Sequence, residues 1–324
     1  MSENTSSEIK EEALLNTDAS FNRFNDAFVK YLLATEKHKR FLLDLINAVF
    51  DDKRPACIRG KVTDITLEDR ELSSEHIMEK HGRLDIRAQT DSGELIDIEV
   101  QTYADNAIGA RELFYFSKLY TSQLAKGLQY YALKPVVIIN LMAFNHFKER
   151  EQYHSCYELR ERDLHDVLSD KISVHFIEAQ KCKELSLKNK NRLVRWMKYL
   201  TYSSPEEVIA MAKEDEVFTK VLEAEKMFVR NREEMLKYEA RERYEMDLAT
   251  RTGLAEARGR EEGEAKGRAE GEAKGRAEGE AKGKLEALLT TAKKLLTLGM
   301  PLSQIKQVTN LSDEELSRLQ QSHS

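Results

Sequence analysis

Two stretches of alternating residues carry the acidic side chains of this chain that are best placed for chemistry. Residues 84–89 and 96–101 alternate apolar and polar side chains, which predicts two half-buried strands. Between them, Gly93 ends a short turn and suits the left-handed backbone that a three-residue hairpin loop requires. That loop length sets Asp85 directly opposite Glu99, with β-carbons roughly 5 Å apart. A bulge next to the turn would shift the pairing by one residue.

A carboxylate pair of this kind indicates a site for a hard divalent cation. Like charges at that distance repel and raise a pKa, so a cation or shared protons must hold the pair together. Mg²⁺ accepts oxygen ligands and keeps several waters, so Asp85, Glu99 and a backbone carbonyl suffice if a phosphate completes the shell. Gln101 shares a strand face with Glu99. The alternative interpretation is that these are ordinary acidic residues on the solvent face of a surface hairpin.

The same residues resemble a known nuclease core. Asp85 on one strand and Glu99-x-Gln101 on the next are similar to the PD-(D/E)XK motif. Further motifs along the chain match the family in their order. They lie before the hairpin at residues 25–30 and 41–47, and after it at residues 111–115, 127–130, 135–139, 175–178 and Trp196. Over roughly residues 20–320 the chain resembles the Rpn/YhgA-like family of bacterial recombination-promoting nucleases and transposases, within the PD-(D/E)XK superfamily.

The resemblance implies a DNA endonuclease that uses Mg²⁺ or another divalent cation. It implies that Asp85, Glu99 and the carbonyl of Val100 bind the metal, and that Gln101 positions water or phosphate. Gln101 stands where many nucleases of the superfamily have a lysine, and a glutamine side chain neither carries charge nor takes a proton. Relatives that resemble this chain often have Gln at that position, so the difference does not by itself imply an inactive enzyme.

Two helices are expected to contribute accessory groups to this site. By the resemblance, Asp26 or Lys30 on the first helix lines the entrance. On the helix after the hairpin, Arg111 and Lys118 fall on one face, so either side chain is a candidate to contact the scissile phosphate. The alternative for these two residues is that they are solvated helix positions.

The elements that must position these groups follow the order α-β-β-β-α-β. This order predicts an α/β fold with a restriction-endonuclease-like core and a helical C-terminal extension. Residues 136–143 read as an uninterrupted apolar strand buried on both faces. The other predicted elements are a helix at 24–50, a strand at 61–69, a hairpin at 82–102, a helix at 107–132, strands at 153–161 and 172–178, and helices at 189–202, 205–213 and 215–258.

A low-complexity segment divides the chain. From Gly259 to Gly283 a glycine recurs at every fourth position. As a helix it would gain Glu264–Arg268 and Glu272–Arg276 pairs, but each glycine costs about 1 kcal/mol relative to alanine. In isolation the segment should be marginal or disordered. The predicted divisions are a flexible arm at 1–20, the nuclease-like core at 21–202, a charged helical region at 203–258, the repeat at 259–283 and a helical tail at 284–324.

The C-terminal part is expected to bind protein rather than DNA. A glycine stripe would allow a second helix to approach closely, which favours a homo-oligomer or a protein partner through these helices. The tail resembles a small helix-turn-helix, with a capping box that begins at Ser312. Its charge does not favour DNA, since residues 302–324 contain more acidic than basic side chains.

Composition limits the classes of function. The chain has 324 residues, a net charge of −6 and 33% charged residues. Three cysteines without CxxC spacing indicate neither a zinc site nor a disulfide framework. No apolar run approaches 18 residues, so no membrane span is expected and a cytoplasmic location fits. Besides an endonuclease, the sequence leaves open a catalytically weak DNA-binding or recombination accessory protein and a pure protein-interaction module.

Overall fold

A computed structural model describes residues 21–68, 84–104, 107–124, 129–186, 191–201 and 203–321. The predicted flexible arm at 1–20 lies outside these residues. The chain divides into two compact units, with the boundary between Met246 and Asp247. The predicted α/β class and the restriction-endonuclease-like core are confirmed, since the first unit is a mixed sheet flanked by helices.

The described residues of the first unit form one six-stranded sheet in the order β1-β2-β3-β4-β6-β5. Strands β1, β2 and β3 pair antiparallel, β3, β4 and β6 pair parallel, and β5 returns antiparallel along β6. The strands are β1 (Ile65–Leu67), β2 (Leu84–Thr90), β3 (Leu95–Gln101), β4 (Val136–Met142), β5 (His154–Arg160) and β6 (Val167–Glu178). The first strand is shorter than the predicted 61–69.

The hairpin of β2 and β3 has the predicted register. Gly93 takes a left-handed φ of 96°, and the Thr90 amide donates to the Glu94 carbonyl at 3.0 Å to close the loop. Asp85 is consequently the cross-strand neighbour of Glu99. This part of the structure was predictable because a short loop and an alternating pattern fix the pairing locally.

Helices cover both faces of the sheet. They are α1 (Asp26–Leu33), α2 (Lys39–Asp52), α3 (Ile108–Ser122), α4 (Arg192–Thr201), α5 (Pro205–Glu214) and α6 (Glu216–Arg230). One face packs its alternate residues, such as Ile98 and Ile139, into the main core with α1, α2 and α4–α6. The other face packs Ile138 and its neighbours against Ile108 and Leu119 of α3. The sheet is therefore buried on both sides, which is typical of parallel strands.

Several helices differ from the predicted bounds. The predicted helix at 24–50 is two helices, because Thr35 is extended (φ −120°, ψ 142°) and a 3₁₀ turn, Glu36–His38, follows it. The predicted helix at 107–132 ends at Ser122, and another 3₁₀ turn spans Tyr130–Ala132. The main core also contains Phe218, Phe228 and Tyr238. Packing of the first unit thus continues past residue 202, where the nuclease-like core was expected to end.

Helix α7 (Arg232–Thr297) contains the whole glycine-spaced segment. The helix formers Ala, Glu, Lys and Arg fill the positions between the glycines, which offsets part of the glycine cost. Exposed pairs link Lys266 to Glu270 at 4.0 Å and Lys274 to Glu278 at 3.9 Å, instead of the predicted Glu264–Arg268 and Glu272–Arg276 pairs. That the isolated segment is marginal or disordered stays a prediction.

Two short helices, α8 (Leu302–Thr309) and α9 (Asp313–Gln321), follow α7. The predicted capping box is confirmed, because Ser312 and Glu315 exchange side-chain and backbone hydrogen bonds. Ala292, Ile305, Leu311 and Leu316 form a small separate core there. Among the described residues, no helix is both long and apolar enough to cross a membrane.

Candidate metal centre and active site

A row of polar side chains lies buried on the face of the sheet that α3 covers. Asp97, Glu99 and Gln101 of β3 alternate with core residues and are 1%, 0% and 3% exposed. Strands β2 and β4 border them on either side, and α3 packs over the same face. Charged side chains are rarely buried to this degree without a partner or a metal. We name Asp97, Glu99 and Gln101 the acidic row.

The ladder of β2 and β3 determines which positions face each other most closely. Because Thr90 and Glu94 are a hydrogen-bonded pair, alternation makes 87:97 and 85:99 non-hydrogen-bonded pairs, with Cα atoms about 4.5 Å apart. At 87:97 the charges are opposite, and Arg87 Nε donates to Asp97 Oδ1 at 3.2 Å. At 85:99 two acidic residues face each other in the register. The same alternation directs the Val100 carbonyl towards β2.

The amide of Gln101 is held by a second amide from β4. Gln101 Nε2 donates to Asn140 Oδ1 at 2.7 Å, and Asn140 Nδ2 donates to the His175 carbonyl at 3.3 Å. Asn140 is the parallel-strand neighbour of Glu99. Gln101 Oε1 is buried and has no hydrogen-bond partner within the described part of the chain. One oxygen beside Glu99 is thus available to accept a hydrogen bond or bind a cation.

Helix α3 half-buries one of its two candidates and leaves the other at the surface. Arg111 is half-buried, with Nη2 at 3.4 Å from Glu112 Oε1. Glu112 is buried on the same helix face as Ile108. Lys118 is exposed, and its Nζ lies 4.7 Å from the ring centroid of Phe114. Contact of Arg111 or Lys118 with a scissile phosphate stays a prediction.

Asp26 and Lys30 line a groove of about 720 Å³ between α1 and the start of α7. Arg241 Nη2 lies 3.1 Å from Asp26, and Arg241 Nε lies 3.2 Å from Glu245. Burial raises the pKa of Asp26, although Arg241 and Lys30 oppose that rise. Tyr103, two residues beyond β3, donates to the Glu245 carbonyl at 3.1 Å, which connects this groove to the end of the strand that carries the acidic row.

Sequence reasoning missed three buried polar residues, one in the acidic row and two near it. Asn140 interrupts β4, where an uninterrupted apolar strand is predicted, and an amide inside such a run was the available signal. Glu112 falls four residues after Ile108 on the apolar face of α3, which was a second signal. Asp97 was visible in the alternation, but its pairing with Arg87 depends on the register.

The residues present suit a hard cation. The predicted donors are the Glu99 carboxylate, the Val100 carbonyl and an aspartate at position 85, and all are oxygen ligands of the kind that Mg²⁺ and Mn²⁺ prefer. The buried, open acceptor at Gln101 Oε1 agrees with this donor set. The described residues alone contain no cluster of three or more His, Cys, Asp or Glu side chains fit to hold a metal. The assignment of metal ligands therefore stays a prediction.

Comparison with known families identifies the family of this chain. Residues 23–254 match the family described as PD-(D/E)XK nuclease family transposase. Comparisons with curated proteins and with solved structures give no match. The matched segment covers more than half of the 324 residues and includes the hairpin, Gln101 and α3. The predicted family is confirmed, and the chain belongs to the PD-(D/E)XK nuclease family transposases.

Proposed function

We propose that this protein is a metal-dependent DNA endonuclease that hydrolyses phosphodiester bonds in DNA recombination or in the activity of a mobile element. The observation that carries the proposal is the pairing of Asp85 with Glu99 in a hairpin where Glu99 is fully buried. Membership of a nuclease family supports DNA as the substrate.

Each residue of the proposed site has a defined task. Asp85, Glu99 and the Val100 carbonyl would hold a divalent cation, which would supply charge to the phosphate and lower the pKa of water. Gln101 cannot accept a proton, so its Oε1 orients the attacking water while Asn140 fixes the amide from the other side. The apolar packing of α3 excludes bulk water from the acidic row.

Plasmid cleavage tests this proposal directly. Full-length protein is incubated with supercoiled plasmid, with Mg²⁺ or with a chelator, beside the Asp85→Ala and Glu99→Gln variants. We expect nicking that requires the metal and falls at least about 100-fold in both variants, since each removes a ligand.

Asp97→Asn is the matched control for that experiment. It changes the neighbouring acid of the same strand, which is paired with Arg87, so its cleavage per folded molecule should resemble that of the wild type. Unchanged nicking in both ligand variants would remove Asp85 and Glu99 from the site.

A second candidate function is a DNA-binding recombination accessory protein with weak catalysis. One observation favours it: the residue at 101 is a glutamine whose Nε2 is bound to Asn140, where a lysine would offer a charge. This function predicts metal-independent DNA binding without nicking under any divalent cation. Cleavage by the wild type that Glu99→Gln abolishes would exclude it.

A further inference from the structure

A groove of about 730 Å³ opens at the opposite end of the sheet from Gln101. Its walls come from the 57–62 loop, the turn between β2 and β3, the segment that precedes β4, and the start of the parallel part of β6. Glu94 in this groove lies five residues before Glu99, which is about 17 Å along a strand. The groove is thus separate from the acidic row but belongs to the same sheet.

Cationic side chains without ion pairs line this groove. Four cationic and three acidic residues border it. Arg59, Lys61 and Lys171 form no salt bridge with any described residue, whereas Lys134 Nζ donates to the Ser92 carbonyl at 3.0 Å. Unpaired guanidinium and ammonium groups grouped around a concave surface favour a phosphate ligand.

Two of the three acidic residues in the groove are engaged by hydroxyl groups of the protein. Asp91 accepts a hydrogen bond from Thr63, and Glu94 accepts one from Thr90. Asp170 is the third and lies next to Lys171 in β6. Since Lys134 is held by the Ser92 carbonyl, the other cations of the groove are on the 59–61 loop and at Lys171.

An exposed aromatic ring completes the groove. Tyr131 lines it from the 3₁₀ turn before β4 and is 84% exposed. Neither face of its ring contacts another aromatic ring among the described residues. A solvated aromatic ring next to unpaired cations provides what a nucleotide needs, since the base stacks on the ring and the phosphate meets the cations.

We infer that this groove binds single-stranded nucleic acid, with a base stacked on Tyr131 and the adjoining phosphates held by Arg59, Lys61 and Lys171. A single strand suits the groove better than a duplex, because the faces of paired bases are already stacked and cannot meet a tyrosine. The inference goes beyond the proposed nuclease function and does not require cleavage. It gives the protein a second contact with a strand, at a distance from the acidic row.

Binding measured without divalent metal separates this inference from the nuclease proposal. The full-length protein is titrated against a fluorescently labelled 12-nucleotide single strand in chelator, and anisotropy is recorded at several salt concentrations. Tyr131→Ala should weaken binding roughly 5- to 160-fold, the effect of losing one base stack. Arg59→Gln with Lys61→Gln should reduce the slope of log K against log salt by about 1.4, the value for two phosphate contacts on a single strand.

Matched exposed residues away from the groove serve as controls. Lys148→Gln with Arg162→Gln removes the same charge from exposed positions, and Leu164→Ala removes an apolar side chain that is 81% exposed. Both should leave the affinity and the salt slope unchanged. Thermal unfolding confirms that each variant is folded, which is expected because the altered side chains are at the surface.

Three results would overturn the inference. Equal losses in the groove variants and the controls would mean that binding is diffuse. Equal affinity for the labelled single strand and its duplex would exclude stacking on Tyr131. Competition by a mononucleotide at the same concentration as the 12-mer would identify a free nucleotide as the ligand instead of a strand. Loss of plasmid nicking alone bears only on the nuclease proposal.

Discussion

The two faces of the sheet each bury a set of polar side chains, and the two sets are built differently. On the α3 face, the acidic row comes from alternate positions of β3 alone. On the α2 face, a histidine chain joins three elements. His154 Nδ1 donates to Asp52 at 2.7 Å, His154 Nε2 and His175 Nδ1 share a hydrogen bond of 2.9 Å, and His175 Nε2 lies 3.0 Å from Ser173 Oγ.

The polar groups of the histidine chain are satisfied, because each of its members forms a hydrogen bond with another member or with a neighbouring residue. Burial would raise the pKa of Asp52, but hydrogen bonds from His154, Tyr153 and Asn191 outweigh it and lower the pKa to about 2. Burial and the nearby His154 hold the pKa of His175 well below its usual value. His175 is consequently neutral at pH 7. The acidic row differs, since Gln101 Oε1 is an open acceptor and the register pairs position 85, an aspartate, with Glu99.

This difference separates a network that stabilises the fold from one that is suited to a ligand. A satisfied buried network contributes stability, and it needs nothing from outside. Carboxylates that face each other are stabilised by an added cation, so their folding stability and their metal affinity are coupled. Loss of a carboxylate should therefore lower the folding stability on the α2 face, but should not lower it on the α3 face.

The largest expected effect is that loss of a carboxylate lowers stability on the α2 face but lowers activity on the α3 face. Asp52→Ala leaves His154, Tyr153 and Asn191 without their shared acceptor, so it should lower the free energy of unfolding by about 3 kcal/mol. Glu99→Gln should leave that free energy the same or higher, because it relieves repulsion. Urea unfolding measures both variants without metal.

Plasmid nicking per folded molecule should show the reverse order. It should be retained in Asp52→Ala and lost in Glu99→Gln. A metal-free Glu99→Gln protein that is as destabilised as Asp52→Ala would show that the acidic row is also a structural network.

Acid pH should act on the histidine chain in two steps. The pKa of His175 is lowered in the folded state, so the unfolded chain takes up this proton first and stability is lost as the pH falls below about 6.5. The pKa of Asp52 falls from 3.8 to about 2, so its contribution of about 2 kcal/mol is present above pH 4 and lost between about pH 4 and 2.

Urea unfolding between pH 7.5 and 4 checks the first of these steps. The wild type should lose up to about 1.4 kcal/mol per pH unit from one proton. His175→Gln, which has no imidazole at this position, should show a shallower slope above pH 4.5. Identical slopes in the two proteins would assign the acid sensitivity to other groups.

The two networks were not equally predictable from the sequence. The acidic row follows from an alternating pattern and a short loop, so the pairing of Asp85 with Glu99 was available from 17 neighbouring residues, 85–101. The histidine chain joins Asp52 to His154 and His175, which are more than 100 residues away. Only the strand order of the sheet and the packing of α2 against it bring them together, and no local pattern encodes either. The helix bounds were predicted where apolar periodicity was strong. The interruption at Thr35 was not predicted, and neither was the one at extended Asn231, which divides the predicted helix at 215–258.

A smaller effect on cleavage is expected at Gln101, where substitution tests whether the acidic row requires a neutral or a cationic side chain. Gln101→Lys should retain more cleavage than Gln101→Ala, because a cationic donor beside Glu99 can contact phosphate and form an ion pair. Initial nicking rates of both variants against the wild type measure the difference. If Lys is the poorer substitute, Gln101 acts as a neutral hydrogen-bonding group, as its contact with Asn140 would favour.

The smallest effect on the first unit is expected from removal of the second. The buried residues of the main core end at Tyr238, and the boundary between the compact units falls after Met246. Truncation after residue 258 should therefore change the free energy of unfolding of the first unit by no more than about 0.5 kcal/mol, and leave metal-dependent nicking in place. Truncation after residue 202 is the contrasting control, because it removes Phe218 and Phe228 from the core.

The same truncated protein tests the proposed role of the glycine-spaced segment. Residues 259–283 are exposed along their whole length, and a Cβ atom added at any of their glycines would meet nothing within 4 Å. That surface allows a second helix to approach, so light scattering should show a smaller assembly for the protein that ends at residue 258 than for the full chain. Equal assembly sizes would place any self-association in the first unit. Loss of its unfolding transition would instead show that the two faces of the sheet depend on the C-terminal helices for their stability.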